Sequence, residues 1–251
     1  MKTIILTLMT AAVVFVAGCD NGITQPRDPS HEFASNDPTQ AGMTYTIPND
    51  VEPLVLSYDF DDGQIPNWGG NAPMRIVDGM LELSSSFNQW RYMIFDSSNP
   101  GQYQLGSFEF ETVFGDQAYF FDLKGHSASN IYDYQFGPVV DFIHGEVWVN
   151  SGEPVFTGSH FVPGVRYRIR AEFRNWVGNR GRYKLYMQPL DPPGREHFVG
   201  SFPYQALNGR LADIVEFGFN ARTLGEVPST SFRVDNVKLT VYEDSRGGGN
   251  S

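Results

Sequence analysis

Val165-Arg166-Tyr167-Arg168-Ile169-Arg170-Ala171-Glu172-Phe173 alternates between apolar and charged side chains for nine residues. A period of two puts Val165, Tyr167, Ile169, Ala171 and Phe173 on one face of a β-strand, and Arg166, Arg168, Arg170 and Glu172 on the other. One face is then buried and the other wet, as in an antiparallel sheet covered on one side. The alternation returns downstream, where Tyr183, Leu185 and Met187 interleave with Lys184, Tyr186 and Gln188. Between these runs, Asn175-Trp176-Val177-Gly178-Asn179-Arg180-Gly181 is turn-rich. The two strands therefore read as a hairpin.

Further strands are expected over Leu54–Phe60, Gly79–Ser84, Trp90–Phe95, Phe108–Phe114, Ala118–Leu123, Val139–Ile143, Glu146–Val149, Ile214–Asn220 and Phe232–Tyr242. In the last, apolar parity slips from Phe232 and Val234 to Val237, Leu239 and Val241, which predicts a bulge near Asp235-Asn236. Outside residues 4–17 no window keeps a helical period over ten residues or more; Gln205–Asp213 is long enough for a turn or two, interrupted by Gly209. Short strands separated by Gly, Pro and Asn turns predict an all-β, antiparallel sandwich of the jelly-roll type. With 18 Lys and Arg against 29 Asp and Glu, the net charge is −11. That balance argues against nucleic acid as a partner, since phosphate contacts need a basic surface. A single Cys excludes an intrachain disulfide and a Cys-based zinc site.

Residues 1–18 read as an export signal. Lys2 is followed by an apolar run from Ile4 to Ala17 that is too short for a comfortable membrane span and suits a signal core. The run ends in Val16-Ala17-Gly18-Cys19, which resembles the lipobox of bacterial lipoproteins. That resemblance implies that Cys19 receives lipid (palmitate among its acyl chains) and becomes the first mature residue. The protein would then sit on a membrane of the cell envelope, outside the cytoplasm and facing the periplasm or the surface. Residues 19–53, with Pro26, Pro29, Pro38, Pro48 and Pro53 and many Asn, Asp, Ser and Thr, read as a flexible tether. Residues 54–243 form the folded domain, and 244–251, ending Gly-Gly-Gly-Asn-Ser, a disordered tail.

Four segments carry a second resemblance. They are Tyr58-Asp59-Phe60-Asp61-Asp62-Gly63 with Trp68, Ile76-Val77-Asp78-Gly79-Met80-Leu81-Glu82-Leu83, Gly145 to Asn150 with Phe161 to Tyr167, and Phe232-Arg233-Val234-Asp235-Asn236-Val237-Lys238-Leu239. Their order and spacing resemble the opening, second, central and closing strands of concanavalin A-like lectin and glucanase domains, including LamG-type modules. The resemblance implies a jelly-roll sandwich. It leaves function open, because that superfamily holds lectins, glycoside hydrolases, polysaccharide lyases and adhesion modules.

Several constellations carry possible chemistry. Glu109 and Glu111, two apart on one strand, share a face about 7 Å apart, between the separations of retaining and inverting glycosidases. Laminarinase-like members of the superfamily carry Glu-x-Asp-x-x-Glu, but here the last position is Phe114, so the pattern is broken and the pair reads first as a solvated strand face. His126, His144, His160 and His197 show no metal-ligand spacing. Polysaccharide lyases of this fold use His and Tyr for proton abstraction, which makes His144 the histidine to test; a structural or surface role competes. Arg166, Arg168 and Arg170 would grip the carboxylates or sulfates of an acidic polysaccharide, or pair with Asp and Glu on neighbouring strands. Trp90 and Tyr92, which share a strand face, and Trp148 are candidate sugar platforms. Asp59, Asp61, Asp62 and Asp235 offer the oxygen ligands of a structural Ca2+, or simply charge surface turns. The expected function is non-catalytic recognition of a glycan or another extracellular polymer. The alternatives are a polysaccharide lyase or glycoside hydrolase, and a protein-interaction scaffold of the envelope.

Overall fold

The computed structural model describes residues 52–70, 73–85, 89–94, 103–115, 118–127, 130–151, 153–174, 182–204, 213–222 and 230–243. The export signal, Cys19, the tether, Trp176, Gln205–Ala212 and the 244–251 tail lie outside them. Fifteen strands run in order: β1 Leu54–Tyr58, β2 Gly69–Gly70, β3 Met74–Val77, β4 Met80–Ser85, β5 Gln89–Ile94, β6 Tyr103–Val113, β7 Ala118–Ser127 and β8 Asn130–Ile143, followed by β9 Glu146–Asn150, β10 Pro154–His160, β11 Arg166–Arg174, β12 Arg182–Pro189, β13 His197–Pro203, β14 Asp213–Arg222 and β15 Thr230–Glu243. No helix occurs among the described residues.

The strands form two antiparallel sheets, a jelly-roll β-sandwich. One sheet has eight strands in the order β13-β12-β11-β6-β15-β4-β3, with β1 also paired to β15. The other has seven, in the order β10-β9-β8-β7-β14-β5-β2. Alternation sends Tyr167, Ile169, Ala171 and Phe173 of β11 and Tyr183, Leu185 and Met187 of β12 into the core, as the sequence predicts. They meet Val140, Phe142, Val147, Val149, Phe217 and Phe219 of the facing sheet. Aromatic rings lock the layers together: Phe108 lies 4.9 Å from Phe217, Phe110 packs edge-on to Phe219 at 5.1 Å, and Trp68 packs edge-on to Phe217 at 5.3 Å. Tyr183 crosses the sandwich to donate its hydroxyl to the Val139 carbonyl at 3.2 Å. Burial, then the nearby Asp141 charge, push that hydroxyl's pKa well up, so it remains a donor.

The predicted bulge falls where parity requires it. Asp235 faces Glu111 and Lys238 faces Glu109, so β15 spends one residue more than β6 over this stretch. Asn236 takes φ 48°, a left-handed conformation that Asn tolerates better than most residues. On the opposite edge of β15, β4 pairs up to Val234 and β1 pairs from Val237 onward. The Ile76–Leu83 motif, expected to hold a single strand, is instead a hairpin. β3 and β4 are joined by Asp78 and Gly79, at φ 54° and 74°, the left-handed pair of a two-residue type I′ turn.

β6 is squeezed between β11 and β15 at Gly106. A Cβ there would lie 2.1 Å from the Thr240 carbonyl oxygen and 2.9 Å from the Phe173 ring. Gly106→Ala must move backbone, so it should cost about 3 kcal/mol. Denaturant unfolding of the variant checks this, and a change under about 0.5 kcal/mol, the size of an ordinary surface substitution, would contradict it.

Candidate functional site

The outer face of the eight-stranded sheet holds the arginine stripe. Register sets Arg168 opposite Glu111 and Arg170 opposite Glu109 across β6. Arg166 Nη2 lies 2.7 Å from Glu111 and 2.5 Å from Asp235, and Arg168 Nη2 lies 3.1 Å from Glu111. Arg168 Nε is 3.9 Å from Glu109. Arg170 pairs with Glu172 and, at 2.6 Å, with Glu196, and its guanidinium sits 4.0 Å above the Tyr186 ring. The stripe and the carboxylate pair, separate candidates in the sequence, are therefore each other's partners.

The electrostatics follow from that pairing. Burial opposes the charge on Arg170, but Glu196 and Glu172 outweigh it and hold its pKa above the ordinary range. Burial, then the Glu172 charge, raise the Tyr186 hydroxyl to about 12. Burial raises the Asp235 carboxyl, against the hydrogen bond from the Asn236 amide and the Arg166 charge. Two more pairs continue the ladder, Arg75 with Glu82 at 2.5 Å and Arg233 with Asp78 at 2.9 Å. Neutralised in this way, the stripe works as cross-strand bracing.

The remaining polar candidates occupy turns. Asp59 and Asp62 accept from the backbone amides of Asp61 and Gln64. Asp235 points to Arg166, and among the described residues no group of three or more His, Cys, Asp or Glu is arranged to hold a metal ion. His144, exposed at φ 49°, and Gly145, at φ 83°, make the two-residue turn between β8 and β9. That position gives His144 a turn-forming role and sets it off the sheet surface.

The seven-stranded sheet presents a different outer face. Because Val147 and Val149 enter the core, Glu146 and Trp148 face outward. One line of register crosses six strands: Trp90 opposite Asn220, Asn220 opposite Phe120, Phe120 opposite Asp141, Asp141 opposite Trp148, and Trp148 opposite Phe156. At the usual strand spacing of about 4.8 Å, five steps make a line of about 24 Å. Tyr92 falls on the next row, opposite Gly218, while His126 of β7 is in register with Tyr134 of β8. The side chains of Trp90, Tyr92, Phe120, His126, Tyr134 and Asn220 lie outside the described residues. Asp141 is buried although its row faces outward.

Trp148 donates its indole N–H to Glu146 Oε2 at 3.0 Å, which fixes the ring. Its centroid lies 5.4 Å from that of Phe156, whose ring is 5.3 Å from His160. Sequence reasoning did not single out Phe156, and took Glu146 only as the start of a strand and His160 only as a histidine without metal-ligand spacing. The available signal was Gly158 inside an apolar-polar run, which marks a bulge.

No protein-family model and no curated protein matches the chain. Solved structures share its fold. An alginate lyase superposes with a TM-score of 0.52 at 14% identity, over 74% of this chain and 96% of the lyase. A sialidase superposes with a TM-score of 0.51 at 14% identity, over 74% of this chain. This chain spans 18% of that sialidase's length.

Arg166→Ala takes from Asp235 the guanidinium it pairs with and leaves Glu111 with Arg168 alone, both carboxylate side chains being only 10% exposed. Since Arg166 is itself partly solvated, the expected loss is roughly 2–3 kcal/mol, or about 5–10 °C in melting temperature. A variant as stable as the parent would show the stripe to be idle in folding. Beside the ladder, burial lowers the His197 pKa against the opposing Glu196 charge. Folded His197 thus binds fewer protons than unfolded, and its contribution is lost as pH falls below the ordinary histidine range. His197→Gln should flatten the fall in melting temperature between about pH 7 and 5, measured by thermal melts across that window.

Proposed function

We propose that this chain is an extracytoplasmic lipoprotein, anchored in the cell envelope through Cys19, whose sandwich recognises a glycan without cleaving it. The ligand surface is the outer face of the seven-stranded sheet. One observation carries the reading: a single register line across that sheet holds Trp90, Phe120, Trp148 and Phe156. Aromatic faces stack on the apolar faces of pyranose rings, and a line of about 24 Å suits several units of a polymer. The arginine stripe, by contrast, is spent on Glu109, Glu111, Glu172, Glu196 and Asp235. Fold likeness to an alginate lyase and a sialidase supports a polysaccharide ligand by analogy.

A second reading, a polysaccharide lyase, is favoured by the pairing of His126 with Tyr134 on the same sheet. Histidine and tyrosine are residue types that a β-elimination uses for proton abstraction and return, and the backbone register sets these two on neighbouring strands.

Native affinity electrophoresis in gels containing neutral or acidic polysaccharides separates the readings. Recognition predicts retardation in one gel with the polymer intact. Trp148→Ala should weaken the shift about three- to tenfold, from the roughly 0.5–1.5 kcal/mol of an aromatic contact. Clearing of the polymer around the band, with unsaturated sugar ends detected by ultraviolet absorbance, would make the protein a lyase. Free migration in every gel would contradict both.

A further inference from the structure

We infer that the β9–β10 edge is a subsite for one uncharged pyranose unit, built by the bulge in β10. Between Phe156, opposite Trp148, and His160, opposite Glu146, β10 has three residues where β9 has only Val147. The excess is taken up at Gly158, whose φ of 81° suits glycine. Thr157 braces the bulge, donating its hydroxyl to the Val147 carbonyl at 2.7 Å and accepting from the Ser159 amide at 3.2 Å. Bulges bend a strand and re-aim its side chains. Here the bend returns His160 to the Phe156 ring and leaves Trp148, Phe156 and His160 as one run of rings.

Ligand chemistry follows from what borders those rings. Phe156 is 38% exposed on a strand that ends its sheet, so its ring is open to a ligand. Glu146 uses one oxygen to hold the Trp148 indole; its other oxygen accepts no hydrogen bond among the described residues. A carboxylate oxygen beside an aromatic face accepts from a sugar hydroxyl. The same charge, in a chain of net charge −11, repels a uronate or a sulfated sugar. An uncharged ring is therefore the occupant, stacked on Phe156 and Trp148 with a hydroxyl directed to Glu146. This rests on the glycan-recognition reading and adds a ligand class and residues to it.

Titration calorimetry of the whole chain tests it. The probes are cellohexaose, laminarihexaose and mannohexaose as uncharged chains, and oligoguluronate and oligomannuronate as charged ones. At least one uncharged probe is expected to bind. Phe156→Ala should weaken it about three- to tenfold and Glu146→Gln by about as much, both with melting temperatures near that of the parent. Uncharged-probe binding untouched by either variant would overturn the subsite and leave glycan recognition standing. Uronate binding by the parent chain that is at least as tight as that of any uncharged probe, and that weakens in Phe156→Ala, would overturn the ligand class; a uronate affinity that rises only in Glu146→Gln is the expected relief of repulsion. Binding of no probe would overturn subsite and recognition together.

Discussion

Val234 and Val237 of β15 are both fully buried, and a strand of strict period two cannot send residues three apart to the same face. One extra residue must be absorbed between them, and much of the eight-stranded sheet depends on where that happens. Asn236 absorbs it in a left-handed conformation, and Asp235 holds the turn by accepting from the Asn236 amide at 2.8 Å. The other Asp235 oxygen anchors Arg166. Without this slip, Val237, Leu239 and Val241 would face solvent, and Lys238, Thr240 and Tyr242 would enter the core. The same slip marks the point where β4 hands the edge of β15 to β1.

Two unlike outer faces follow from this framework. The eight-stranded sheet turns outward a mixture of Arg, Glu and Asp that is paired strand to strand. Asp235 and Glu111 are more than nine-tenths buried, and they are tolerable there because guanidinium groups meet them. Ligand binding at that face would have to break existing ion pairs. At its β10 end the seven-stranded sheet turns Trp148 outward beside Phe156, with Glu146 and Trp148 bonded to each other. Charge that is already matched braces a fold, whereas the exposed Phe156 ring beside the fixed Trp148 is the surface we propose for a ligand.

Much of this was legible in the sequence. The alternation of Val165–Phe173 gave the strand, its buried face and its hairpin partner, because a nine-residue period of two has no helical counterpart. The parity slip at Asp235-Asn236 located the bulge. Partners were harder to read. Nothing local tells Arg166 that its neighbours are Glu111 and Asp235, since β6 and β15 are brought to it by topology. β10 and β13 escaped notice because they end their sheets and pair along one side only, and both are broken by register shifts near a glycine. The line from Trp90 to Phe156 draws one residue from each of six strands, so only the register reveals it. His144 drew attention beside a tryptophan strand, but its place in a type I′ turn explains it through backbone geometry.

On the proposed function the two outer faces divide the work, the eight-stranded sheet bracing the fold and the seven-stranded sheet meeting the ligand. Hydrogen exchange across the whole chain, with and without a polysaccharide that retards it, tests this most directly. The account predicts slowed exchange in amides of β8, β9 and β10, with β11 and β12 unchanged. Slowing confined to β11, β12 and β13, around Arg166, Arg168 and Arg170, would contradict it.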